Sequence, residues 1–339
     1  MRALVLHGPG DARIDDIDPP MAGPGQVVVE VERVGICGTD VELFTGEMAY
    51  LHQGHASYPL RPGHEWVGRV SSVGEGVSRE WLGGRVTSDT MIGCGSCDRC
   101  RRGRHQVCEE RFEIGVRGGW PGALAEQLLV PADVLHRLPE TISPAAAALV
   151  EPGACAYRAV TAAAVDRGER LLIFGPGTIG LLAALFALAR GVEVHVVGIE
   201  AGGIGLARDL GVDSAITVSD VDESRAGSFH AVIDATSDPD TPAASLHWVE
   251  PGGHLVLIGL AGRPSLIDTR HLVLSDLTTV GVLGGSAAID DTIGAYASGE
   301  VVPDGLVSTV GGLDDAVDWL AGDRPHDARP KLQVDPHLG

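Results

Sequence analysis

The sequence predicts an α/β protein in which a doubly wound parallel sheet is joined to a β-rich domain bearing a four-cysteine lobe. Three observations lead there. An apolar strand, a glycine turn and a long apolar helix follow one another in "ERLLIFGPGTIGLLAALFALARG". Four more buried-strand patterns come after it, with helical stretches between several of them, which is the signature of a parallel sheet covered on both faces. The residues before it carry short β-rich runs broken by Gly and Pro, and "CGSCDRCRRGRHQVC" (94–108) concentrates four of the six cysteines.

Taken in order, "MRALVLHGPG" reads as a first strand and not as a signal peptide, because its apolar stretch is short and no cleavage pattern follows. "QVVVEVERVG", "WVGRVSSVG" and "ALAEQLLVPA" alternate and end in turn residues, as in a twisted antiparallel or barrel-like domain. A chain of 339 residues exceeds the usual single core. The expected division is a catalytic domain over 1–152 with its lobe at 93–110, a nucleotide-binding domain over 153–286, and a return to the catalytic domain over 287–339. The strands of the second part are "RLLIF", "VEVHVVG", "FHAVIDAT", "GGHLVLIGL" and "LTTVGVLGG". The tail offers helical "AIDDTIGAYASG" and "LDDAVDWLAG" and the strand-like "PKLQV".

Charge narrows the partners. Forty-six acids against 25 bases give a formal charge of −21, which repels nucleic acid and anionic membrane. The longest apolar run, 179–189, is too short to span a bilayer. The expected location is the cytoplasm, where thiols stay reduced and disulfides are rare.

In that compartment the four cysteines read as a metal cage. Cys94, Cys97, Cys100 and Cys108 are spaced C-x2-C-x2-C-x7-C, which turns successive thiolates toward one tetrahedral Zn²⁺. All four positions are cysteine, so no coordination site is left open and the lobe is structural. Arg99, Arg101, Arg102, Arg104 and His105 are expected to offset its charge.

The glycine turn is a dinucleotide fingerprint, G-x-G-x-x-G, formed by Gly175, Gly177 and Gly180 between a strand and a helix. Thr178 and Ile179 open the helix, whose free N–H groups and dipole suit a pyrophosphate. Further cofactor contacts are expected at Ala235, Thr236, Ile258, Gly259, Leu283 and Gly284. The acid that grips the adenosine ribose is missing where it is expected, at Gly198, with Glu200 two residues later. Glu200 would repel a 2′-phosphate and no base follows until Arg208, so NAD is the expected cofactor, with NADP the alternative.

A second metal site is suggested by Cys37 in "GICGTD", His64 and Glu65 in "RPGHEWVG", and Glu151 in "ALVEPGACAYRAV". Cys37, His64 and Glu151 could supply three ligands and leave a fourth position open, the form of a catalytic site. Together "GICGTD", "PGHE", the four-cysteine lobe, "EP" and "GPGTIG" make the chain resemble the medium-chain zinc-dependent alcohol and polyol dehydrogenases along nearly its whole length. The resemblance implies a GroES-like catalytic domain and a Rossmann cofactor domain. It implies two zinc ions per chain, with Cys37 and His64 binding the catalytic one and Glu151 matching the acid ligand of the polyol and sugar branch. It places Glu65 behind that zinc or in exchange with a ligand water, Asp40 as the carboxylate that orients the ligand histidine, and Thr39 as the hydroxyl that takes the substrate proton. Glu42 stands where the family's proton relay often ends in histidine, and Glu113 lies near a hydroxyl-binding acid of the sugar dehydrogenases. Its other reading is a solvated pair with Arg117. Cys155 reads as a buried thiol, and His52 and His55 as loop residues.

The implied activity is reversible oxidation of a secondary alcohol on a polyol, sugar or cyclitol to the ketone by zinc-alkoxide hydride transfer to NAD(P). The alternatives are a simple aliphatic or aromatic alcohol dehydrogenase, and a nucleotide-binding paralogue without turnover. The 4% aromatic content and Glu151 weigh against the first, and the presence of Cys37, His64 and Thr39 against the second. Expected partners are a small hydroxylated substrate and further copies of the chain, as a tetramer or dimer.

Overall fold

The computed structural model describes residues 1–326 and 329–338. The chain forms two compact units, Met1–Glu151 with Ile289–Ala297 and Val307–Gly339, and Pro152–Ala288 with Ser298–Leu306. The tail therefore divides: 298–306 belongs with the second unit, and the segments on either side of it with the first.

The first unit is built on a seven-stranded sheet in the order Val307–Gly311, Lys331–Val334, Gln26–Gly35, Glu65–Val73, Arg85–Ser88 and Leu135–Arg137, with Gln127–Pro131 pairing along Gln26–Gly35. Pairing is antiparallel except between the two C-terminal strands. The strand Gln26–Gly35 is flanked on both edges, and Val27, Val28, Val29, Val31 and Val34 are all buried. Each such valine contributes roughly 1.5–3 kcal/mol, and β-branching suits the extended backbone. Register with Glu65–Val73 sets Gly35 opposite Glu65 and Val34 opposite Trp66, so the residues after one strand meet those before the other. The helix Leu313–Leu320 packs Leu313, Ala316, Trp319 and Leu320 into the same core.

The second unit is a six-stranded, wholly parallel sheet ordered Ser214–Thr217, Glu193–Gly198, Arg170–Phe174, Phe229–Asp234, Val249–Leu257, Thr278–Gly281. Numbered within the unit this is 3-2-1-4-5-6, the doubly wound Rossmann order, whose ligands lie beyond the carboxyl ends of the strands. The helix Thr178–Ala189 is apolar nearly all round, and Leu181, Leu182, Ala183, Ala184 and Ala187 are buried. No helix among the described residues is long and apolar enough to cross a membrane.

Candidate active site

The candidate metal ligands are carried by the ends of strands and the start of a helix. Cys37 caps the helix Gly38–Thr45, and its N–H donates to Asp40 Oδ2 at 2.8 Å. Asp40 is fully buried and also accepts from the Gly63 N–H at 3.1 Å. Its Oδ1 lies 3.6 Å from His64 Nδ1, an ion-pair contact longer than a hydrogen bond. Burial opposes the charge on Asp40, but His64 and the two amide bonds outweigh it and hold the carboxyl below its usual range. Burial likewise opposes a charged His64, and Asp40 and Cys37 reverse the balance and raise its pKa well above the ordinary value.

Cys37, His64 and Glu65 bring one sulfur, one nitrogen and one oxygen within 4.8 Å of each other. Glu151 joins them electrostatically: burial pushes its carboxyl up to about 7, His64 and Lys331 pull it down, and Glu65 and Asp89 push it further up. Thiolate, imidazole and carboxylate form a donor set that fits zinc. The charge count agrees, since Cys37, Asp40, Glu65 and Glu151 in their anionic forms face Lys331 and the imidazole of His64. A divalent ion would bring the cluster close to balance.

Lys331 is the functional residue that the sequence reading missed. It is the only lysine in the chain, and it is buried. Its Nζ donates to Glu65 Oε1 at 2.8 Å, Glu65 Oε2 at 2.6 Å and the Ile36 carbonyl at 3.0 Å, so all three protons are used. Burial works against its charge, yet Glu65 and Cys37 leave its pKa raised. A base isolated in "PKLQV", in a chain whose other bases are all arginine, was the available signal.

The lobe cysteines gather with their four sulfurs within 4.8 Å of one another. Cys94 and Cys100 sulfurs are 3.9 Å apart, and those of Cys97 and Cys108 3.8 Å. Sulfurs about 2.3 Å from a shared tetrahedral centre are separated by roughly this distance, whereas a disulfide would need about 2.05 Å. The N–H groups of Cys97 and Cys100 donate to the sulfurs of Cys94 and Cys97, at 3.3 and 3.4 Å. The neighbouring bases do less for the lobe than the sequence suggests. Arg99 pairs with Glu109, Arg102 with Asp98 and His105 with Asp89, so carboxylates already meet most of that charge.

Thr39 lies part-buried in the first turn after Cys37. Glu42, three residues on, is raised in pKa by burial and by Glu47. Glu113 is buried, and its side chain does not meet that of Arg117. Its Oε1 accepts from Arg111 Nε at 2.8 Å and Tyr50 Oη at 3.0 Å, and Arg117 meets it through backbone only. Cys155 is part-buried and not fully enclosed, and His52 ends a short helix, Ala49–His52, instead of lying in a loop.

In the second unit Gly175 has a φ of +94°, and a side chain there would be strained besides lying 3.0 Å from Ala235 and Thr236. Gly177 caps the helix with open space around it, and a Cβ on Gly180 would lie 2.0 Å from the Gly175 carbonyl. Ala235 and Thr236, Ile258 and Gly259, and Leu283 and Gly284 all follow the carboxyl ends of parallel strands. Arg158 Nη1 donates to the carbonyls of Leu283 and Gly284 at 2.5 Å each, which fixes that last loop. Gly198 is not an open position awaiting an acid. It ends the strand Glu193–Gly198, and a Cβ there would lie 2.5 Å from the Pro176 ring of the glycine turn. Glu200, beyond the strand, caps the helix Ala201–Asp209 without using its side chain.

The chain matches the model for the alcohol dehydrogenase GroES-like domain over residues 23–140, and that for zinc-binding dehydrogenases over 178–298. It is 31% identical to L-threonine 3-dehydrogenase of Idiomarina loihiensis over 84% of both chains. It is 29% identical to sorbitol dehydrogenase of Halalkalibacterium halodurans over 83% of both. Its fold superposes with a TM-score of 0.90 on a zinc-binding dehydrogenase from Sinorhizobium meliloti solved with NADP, 28% identical and aligned over 99% of each chain.

Two predictions follow from the cluster itself. Replacing Lys331 by Met leaves Glu65 charged and buried without its cation, a loss of about 3–5 kcal/mol by urea denaturation. Lys331→Met with Glu65→Gln should recover most of it; an unchanged midpoint in the single variant would remove the ion pair from the folding argument. In chelator-stripped protein, Glu151 has its folded pKa raised from the ordinary 4.5 to about 7. The folded state then binds the extra proton, so its advantage is complete below pH 4.5 and lost as pH rises through 7. The stability difference between wild type and Glu151→Gln should grow in favour of the variant over that range by at most about 3 kcal/mol. Parallel pH curves for the two would show that the carboxylate is not desolvated.

Proposed function

Because the chain belongs to the zinc-dependent alcohol dehydrogenase family, whose members are NAD(P)-linked oxidoreductases, we propose that it oxidises a secondary hydroxyl of a polyol, sugar or cyclitol reversibly to the ketone, with NAD as the acceptor. In this reading the first unit is catalytic and the second holds the nucleotide. The observation that carries the substrate class is Glu151, a desolvated carboxylate that interacts electrostatically with His64 and Glu65, two members of the clustered donor set. It makes the donor set harder than one with a second thiolate would be. Kinship with a sorbitol dehydrogenase and with threonine dehydrogenases agrees with a hydroxyl-bearing, polar substrate.

Cys37, His64 and Glu151 would hold the catalytic zinc, and Cys94, Cys97, Cys100 and Cys108 the structural one. Zinc supplies a Lewis acid that brings the pKa of a hydroxyl down toward neutrality. The rest of the work falls to protein groups. Thr39 takes the proton from the substrate hydroxyl, and Glu42, one turn along the same helix, is placed to receive it. Asp40 keeps the His64 ring fixed while this happens. Glu113 leaves Oε2 without a protein partner among the described residues, and that oxygen is suited to accept from a second substrate hydroxyl.

The nucleotide preference rests on Glu200. Pro176 excludes an acid at Gly198, so the exposed carboxylate just past the strand is the group available to the ribose hydroxyls, and it repels a 2′-phosphate. A homo-oligomer, tetramer or dimer, is supported by the outermost strand Thr278–Gly281, which pairs on one edge only and lies near exposed Val273, Leu274 and Leu283. Six free cysteines fit a reducing, cytoplasmic setting.

A panel of polyols, sugars and simple alcohols with both nucleotides tests this reading. We expect kcat/KM highest for a vicinal secondary alcohol with NAD, and several-fold lower with NADP. Glu200→Arg should narrow or reverse the nucleotide ratio; the proposal fails if primary aliphatic alcohols are the best substrates. Thr39→Ala should cost about 10²–10⁴ in kcat and alter the pH profile, and Thr39→Ser should stay near wild type. Equal rates for the two variants would take Thr39 off the proton path.

A further inference from the structure

Arg61 stands apart from the other enclosed arginines. Arg85 pairs with Glu32, Arg111 with Glu113 and Arg33 with Asp335. Arg170 binds the Ser228 carbonyl through two nitrogens. Arg61 has no ion pair or side-chain hydrogen bond among the described residues, and its Nε is shut off from solvent without a partner. Burial alone acts on it, lowering its pKa to about 10, so it remains a cation at neutral pH with nothing opposite it. The residue is part-buried, so its outer nitrogens reach the solvent in the cavity while Nε is enclosed, and a desolvated donor without an acceptor is costly unless a ligand supplies one.

The side chain lines a cavity of about 240 Å³ within the first unit. Ser57 contributes the one other polar side chain on its wall, and Val5, Ile17, Val116 and Trp120 give it an apolar body. The metal ligands and Glu113 are not part of this wall. The volume is below the roughly 300–1,000 Å³ of sites for drug-sized ligands, so the occupant is small.

We propose that this cavity is a binding site for a small monocarboxylate with an apolar body, held by Arg61. A carboxylate matches the planar guanidinium with two parallel N–H···O bonds and one unit of charge. A phosphate would bring more negative charge and more acceptor oxygens than one guanidinium and one hydroxyl can meet. The apolar wall gives a hydrocarbon or aromatic body its share of the binding. Trp120 lines the cavity, so its fluorescence would report occupancy.

The test uses benzoate, acetate and inorganic phosphate at matched ionic strength, with chloride as the control. Tryptophan emission and the melting temperature are read for wild type, Arg61→Met, Arg61→Lys and Trp120→Phe. Benzoate should bind wild type more tightly than acetate and raise its melting temperature. Arg61→Met, which removes the part-buried charge and its unpaired Nε and so should fold about as stably, should bind at least tenfold more weakly. Arg61→Lys, which keeps charge but loses the fork, should fall between them. Trp120→Phe should lose the emission change and keep the thermal shift. The proposal is overturned if no carboxylate acts beyond chloride, if Arg61→Met binds as well as wild type, or if phosphate binds and carboxylates do not. An emission change that survives Trp120→Phe would place the ligand elsewhere and overturn it as well.

Discussion

One buried ion pair ties the candidate active site together. Glu65 follows His64 and Ile36 precedes Cys37, and Lys331 binds both Glu65 and the Ile36 carbonyl. Two segments that carry candidate metal ligands are thus held by a single ammonium group that lies 266 residues from Glu65 in sequence. The sheet is arranged to permit it. Gly35, opposite Glu65 in register, must lack a side chain, since a Cβ there would lie 2.2 Å from Glu65 Oε2 and 3.3 Å from the Lys331 stem. Lys331 in turn sits at the start of a strand whose pairing with Gln26–Gly35 depends on Gln333 and Val334. The first and last parts of the unit are therefore one structure for the purposes of the site.

The cofactor unit works on a different constraint, close approach of backbone. Gly180 must fit under the Gly175 carbonyl, and the Pro176 ring between those two glycines rests on Gly198 and Gly203. The glycine turn consequently dictates what the neighbouring strand can carry. By filling the space above Gly198 it moves the available acid outward to Glu200, onto the cap of the next helix. In the proposed reading, selectivity for the nucleotide would depend on an exposed carboxylate whose field is screened by salt, which is a gentler discriminator than a buried one.

Much of this was legible from local pattern. The strand–glycine–helix run, the alternation that follows it and the cysteine spacing are local features, and local features survive in a linear reading. Cys37, His64 and Glu65 also came from short motifs, and the fold brings their ligand atoms together. What pattern could not show was partnership across distance. Glu113 has Arg111 and Tyr50 for company, whereas one of its two sequence readings paired it with Arg117, which meets it only through a backbone bridge. The arginines around the lobe meet carboxylates that the sequence places up to ten residues away. Gly198 looked vacant because the proline that fills its space comes from a different strand end.

The identity of residue 331 has a chemical reason of its own. Arginine serves every other basic position in this chain, on surfaces and in forks with carboxylates where its planar donors suit the partner. At 331 the acceptors are two oxygens of one carboxylate and a backbone carbonyl, all between 2.6 and 3.0 Å from one nitrogen. That is a point-charge site, and an ammonium with three rotatable protons fills it completely. A guanidinium would spread the same charge over a larger plane and carry five donors into a space with three acceptors, leaving buried N–H groups unpaired. Cationic charge alone would not be enough there; the group has to be compact, and the one lysine lies beside the candidate metal ligands.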